Sequence, residues 1–71
     1  MLLTRDGVEF TIGMDLWYPA PNGPVCKHTK DCRLDIKDDV TILMVPYGMG
    51  LMVSAFPISS YYSSKKALLN V

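Results

Sequence analysis

Cys26, Lys27 and His28, with Cys32 four residues beyond the histidine, are the residues of this chain whose types and spacing suit chemistry. On an extended strand the side chains of Cys26 and His28 leave the same face, and a thiolate beside an imidazole is a zinc-type donor pair. A closed structural zinc site takes four ligands, and the chain holds no further Cys or His. Asp31 or Asp35 would complete the set only by strained geometry. The expectation is therefore two thiols and a surface histidine, without a metal or other cofactor. The same Cys–His pair could be read as a nucleophile and its base, but catalysis also needs a group to orient the base, an oxyanion hole and a pocket. So small a chain offers little pocket, and no catalytic residue and no small-molecule substrate are predicted. Gly48 and Gly50 lack the following lysine and helix of a phosphate-binding loop.

Other reactive-looking residues have plainer readings. Tyr61-Tyr62-Ser63-Ser64 could accept phosphate, but a serine directly ahead of Lys65-Lys66-Ala67-Leu68-Leu69 reads as a helix N-cap with aromatic packing before it. Lys65 and Lys66 are a solvated basic pair. Seven basic and seven acidic side chains give zero formal charge, which argues against binding to nucleic acid or a charged membrane surface, since neutralising phosphates takes surplus cation. Met1-Leu2-Leu3 is followed at once by Thr4-Arg5-Asp6 rather than by an apolar core, so no secretory leader is expected and the cysteines are read as reduced.

The elements that must position these residues are short and mostly extended. Seventy-one residues make one small domain. Val8-Glu9-Phe10-Thr11-Ile12 alternates apolar and polar between Asp6-Gly7 and Gly13, which predicts a strand over 8–12 with Val8, Phe10 and Ile12 facing in. Leu16-Trp17-Tyr18 predicts a second, over 15–18. Pro19 to Pro24 is too rich in proline for a helix or a central strand and reads as a loop. An irregular strand, bulged near Asp31, is expected over 25–36, and Lys37-Asp38-Asp39 suits a hairpin turn. Strands over 40–45 and 51–56 flank a turn at Pro46-Tyr47-Gly48-Met49-Gly50, and a short helix is expected over 64–70. The pattern predicts a mainly β fold: a small SH3-like barrel, or a bent antiparallel sheet of about five strands, closed by a C-terminal helix.

Val40 to Ser64 contains no charged residue. A membrane-spanning helix over Ile42–Ile58 is the rival to a hairpin here, but Pro46, Gly48, Gly50 and Pro57 together oppose it. In a hairpin, both parities of this segment are apolar, whereas a small sheet ordinarily keeps one face polar. Met44, Tyr47, Met49, Met52 and Phe56, with Trp17 and Tyr18, are therefore the candidate partner-binding residues, because methionine and aromatic side chains are enriched where proteins meet.

The opening Asp6-Gly7-Val8-Glu9-Phe10-Thr11-Ile12-Gly13-Met14-Asp15-Leu16-Trp17 and the close Tyr62-Ser63-Ser64-Lys65-Lys66-Ala67 resemble the two ends of small bacteriophage- and prophage-encoded accessory proteins. The stretch from Pro19 to Ile58 takes no part in the likeness, and Lys65 and Lys66 stand where those proteins carry acids. The resemblance implies an SH3-like strand order and a phage or prophage accessory protein, and it carries over no catalytic residue; a non-enzymatic protein of the bacterial host's cytoplasm is expected. With it, the expectation is an accessory protein that binds, and through binding inhibits, a host or phage protein. A structural homo-oligomer or virion component is the alternative, and a small membrane protein comes third.

Overall fold

The computed structural model describes residues 2–70. It is mainly β: five antiparallel strands in two sheets with a short C-terminal helix, and the sheets do not close into a barrel. Strands β1 (Asp15–Ala20) and β2 (Gly23–His28) form a two-stranded ribbon. Strands β3 (Arg33–Lys37), β4 (Val40–Gly48) and β5 (Leu51–Pro57) form a three-stranded sheet with β4 in the centre. A single 3-10 turn, Ile58–Ser60, leads from β5 towards helix α1 (Lys65–Leu69).

Two tight turns set the register of the larger sheet. Asp38 and Asp39, with φ of 53° and 64°, join β3 to β4, and Met49 and Gly50, with φ of 53° and 77°, join β4 to β5. Positive φ at both central residues is the geometry whose twist matches the strands of a two-residue hairpin. The first turn falls where Lys37-Asp38-Asp39 predicts it. The second is shorter than the sequence suggests, because β4 runs on through Pro46, Tyr47 and Gly48. Pro46 pairs with Met52 and Gly48 with Leu51, so Tyr47 has no partner and forms a bulge.

The segment from Pro19 to Pro24 also differs from expectation. Only Pro21 and Asn22 turn; Pro19 and Pro24 face each other in the ladder. Trp17 spends its own N–H and C=O on Tyr62, at 2.8 and 2.7 Å, so its pairing with Cys26 exchanges no hydrogen bonds. Two residues along, Pro19 and Pro24 occupy the same kind of pair, where a missing N–H costs the ladder nothing.

The predicted strand over 8–12 does not form. Among the described residues one bridge, Leu3 to Glu9, is all the pairing there, and of the three residues expected to face in, only Phe10 is buried. Gly7 and Gly13 take φ of 83° and 107°, so the chain bends at both ends before a ladder can extend. The expected strand over 25–36 is likewise two strands. The chain turns between His28 and Arg33, where Cys32 N–H donates to the Thr29 carbonyl at 3.0 Å. Thr29 is fully buried; its hydroxyl donates to the Met14 carbonyl at 2.6 Å and accepts from the Gly13 N–H at 2.8 Å, which fixes the corner.

Phe10, Leu16, Cys32, Leu43, Ile58 and Tyr61 make the core between the two sheets, with Met14, Tyr18, Val45 and Ala55 packed against it. The two chain ends are tied together: Arg5 N–H donates to the Tyr61 carbonyl at 2.7 Å, and the Asp6 carboxylate accepts from Ser63 N–H and from its hydroxyl. As the sequence predicts, Ser64 caps α1, its hydroxyl accepting from Ala67 N–H at 3.0 Å. The helix lies on β1 and β2 with Ala67 and Leu68 half-buried.

Candidate functional site

Alternation along β1 decides how the candidate partner-binding residues are distributed. Successive strand residues point to opposite faces, so Trp17 and Tyr18 separate. Tyr18 shares its face of the ribbon with Leu16 and Lys27, towards the core, while Trp17 shares the other face with Asp15, Cys26 and His28. Across the core, β5 carries Phe56 close to Tyr18, with ring centroids 6.3 Å apart and an edge-on arrangement. Tyr61 completes a three-ring cluster, 5.7 Å from Tyr18 and 6.3 Å from Phe56.

These rings, with Lys27, Ser54 and Ala55, line a cleft of about 280 Å³ between the ribbon and β5. That is below the usual range for small-molecule pockets, ~300–1,000 Å³, and suits one inserted side chain. Tyr61 forms its floor. Its hydroxyl accepts the Phe56 N–H at 3.2 Å, and burial pushes its phenol above the ordinary value. Lys27 stands at the rim; among the described residues no carboxylate is within salt-bridge distance of it. Sequence reasoning missed Lys27 and Tyr61, because only the register of β1 on β2 and the return of the chain after β5 bring them to Tyr18 and Phe56.

The remaining candidates lie along the β4–β5 hairpin. Met44 and Met52 are half-buried, Met44 within 3.7 Å of the Ser54 hydroxyl through its sulfur. Tyr47 stands out at its bulge, 75% exposed, and Met49 at the tip is fully exposed. Leu51, Val53 and Phe56 are exposed as well. The apolar side chains of this uncharged segment are thus only partly absorbed by the fold.

The outer edges of the three-stranded sheet differ in character. β3 presents Arg33, Asp35 and Lys37, charges of the kind that discourage strand pairing at an open edge. β5, at the other edge, reads Leu51-Met52-Val53-Ser54-Ala55-Phe56-Pro57 with no charge, and among the described residues no strand pairs with its far side. The cleft opens beside that edge.

On the opposite face of the ribbon, Asp15 lies across from His28, and its carboxylate oxygen is 2.7 Å from His28 Nδ1. Cys26 is two residues from His28 on the same face, and the three donor groups lie within 4.8 Å of one another. Cys32 does not join them; it is buried in the core with its sulfur 3.7 Å from the His28 carbonyl oxygen. Neither Asp31 nor Asp35 is part of the group. Burial, and then the Asp15 carboxylate, push the Cys26 thiol above its ordinary value, which is the reverse of an activated nucleophile. Burial likewise raises Cys32, only partly offset by Lys27.

Among the described residues no helix is long and apolar enough to cross a membrane. No protein-family model matches the chain, and no curated protein or solved structure is significantly similar to it.

Proposed function

We propose that this chain is a non-enzymatic protein-binding domain, an accessory factor that docks on another protein through its β4–β5 hairpin. Met49 carries the reading. The two-residue turn holds this methionine at φ 53°, a left-handed conformation that costs a non-glycine residue about 1 kcal/mol, and its side chain is fully exposed. An exposed apolar side chain held at a strained tip, flanked by exposed Tyr47 and Leu51, makes sense as a group kept for a partner.

The partner surface is an extended segment of another protein added to the free side of β5. Backbone hydrogen bonds to an open edge give affinity, and pockets for alternate side chains give selectivity. The uncharged edge supplies the first. The cleft of Tyr18, Phe56 and Tyr61 supplies the second: room for one aliphatic or aromatic side chain, with Lys27 to meet a carboxylate beside it. The likeness of the chain ends to phage-encoded accessory proteins fits a factor that works by occupying such a segment.

The test is to pan a displayed library of random, unstructured peptides on the immobilised protein and measure the enriched peptides on wild type and on a Lys27→Glu variant. Acidic-apolar peptides whose affinity falls at least tenfold in the variant support the reading. Failure to enrich, or binding indifferent to Lys27→Glu and to a second variant, Phe56→Ser, overturns it. The alternative is pairing of β5 with a second copy, which the same uncharged edge would permit. It predicts a dimer of stable mass on dilution.

A further inference from the structure

The outer face of the ribbon carries a feature that the docking surface does not use. Asp15 and His28 are direct cross-strand partners, and Trp17 and Cys26 are the next pair along on the same face. Because the Trp17 backbone bonds to Tyr62 instead, both are pairs of the closely spaced kind, whose side chains approach most nearly. The register thus delivers a carboxylate, an imidazole and a thiol to one spot from two strands.

We propose that Asp15, Cys26 and His28 form a three-ligand site for a zinc-class divalent cation, with its fourth position open to water. The donor set is one that Zn²⁺ takes: sulfur, imidazole nitrogen and carboxylate oxygen. Bond lengths of ~2.0–2.3 Å place donors in a tetrahedral shell roughly 3.3–3.7 Å apart. The observed separations run from 2.7 Å between Asp15 and His28 up to 4.8 Å, so the Asp15–His28 pair must open by roughly 0.6 Å and the widest pair close by about 1 Å, within reach of χ rotations. The His28 and Asp15 side chains are 78% and 51% exposed, which leaves them room to turn. A surface Asp–His pair alone contributes little and does not explain a half-buried thiol beside it. A carboxylate and a thiolate on one spot repel, and a dication between them turns that repulsion into attraction. The open position and the exposure make this a site for a loosely held ion rather than a buried structural one.

The sequence offers Cys26, His28 and Cys32 as a ligand-like cluster but predicts no metal there; the fold separates Cys32 and brings in Asp15, from 13 residues before His28. The assignment is independent of the partner reading, since the cleft lies on the other face of the ribbon.

The experiment is anaerobic titration of the reduced, full chain with Co²⁺, followed by displacement with Zn²⁺. The site predicts one Co²⁺ per chain, a thiolate-to-cobalt charge-transfer band, and a concurrent change in the fluorescence of Trp17, the single tryptophan. Cys26→Ser removes the band; Asp15→Asn and His28→Ala, both at exposed positions, weaken binding at least tenfold; Cys32→Ala leaves it intact. No charge-transfer band in the wild type, or a band that persists unchanged in Asp15→Asn and His28→Ala, overturns the assignment.

Discussion

The hydroxyl of Tyr61 accepts the backbone N–H of Phe56 at 3.2 Å, five residues back along the chain. That bond ties the last strand to the core at the place where β5 runs irregularly against β4. It also satisfies a backbone donor that the β4 ladder leaves free. Tyr61→Phe should therefore lower stability by about 1 kcal/mol in urea denaturation without removing core volume. Burial raises the Tyr61 phenol, so its contribution is full below the ordinary tyrosine range and is lost as pH rises through the folded-state value. In a spectrophotometric alkaline titration, Tyr61 should ionise above the ordinary tyrosine range, and Tyr61→Phe should remove that late step.

Asp6 has the opposite linkage. Burial opposes its ionisation, but hydrogen bonds from the Ser63 hydroxyl, the Thr4 hydroxyl and the Ser63 backbone N–H together outweigh it and hold the carboxyl below its usual value of 3.8. A lowered folded-state value means stability that is present above the ordinary aspartate range and lost as pH falls through the folded value. Asp6→Asn should flatten the acid limb of the stability curve below about pH 4, and it should loosen the link between the chain ends. Chemical denaturation at a series of pH values, read beside amide exchange at Ser63, checks both.

Thr29 is the hinge between the two sheets. Its hydroxyl bonds the Met14 carbonyl and the Gly13 N–H, so the isosteric Thr29→Val leaves an acceptor and a donor without partners at nearly constant volume. The expected loss is about 1–2 kcal/mol in denaturant unfolding. A change within error would mean that water replaces the hydroxyl at no cost.

Much of the architecture is legible in the chain. The Asp38-Asp39 turn, the Ser64 cap and the apolar runs on either side of Met49-Gly50 are local signals, and local chemistry places them. Val8–Ile12 misleads because alternation measures a preference for extended backbone, not the presence of a neighbouring strand, and Gly7 and Gly13 bend the segment away from one. Thr29 is invisible as a corner because its partners, Gly13 and Met14, are non-local. The same limit governs the site. Tyr18 and Phe56 stand out by residue type, but Lys27, Tyr61 and the Asp15–His28 pairing depend on register, which the sequence does not print.

The central claim is that the apolar tip of the β4–β5 hairpin is uncovered in the lone subunit and kept for another protein. Timed oxidation with dilute peroxide, read by peptide mass spectrometry, measures this directly, because thioether oxidation follows exposure. Met49 should oxidise well ahead of Met14, Met44 and Met52, at a rate independent of protein concentration. If Met49 reacts as slowly as the half-buried methionines, or becomes protected as concentration rises, the tip is already covered, by the fold or by a second copy, and the account fails.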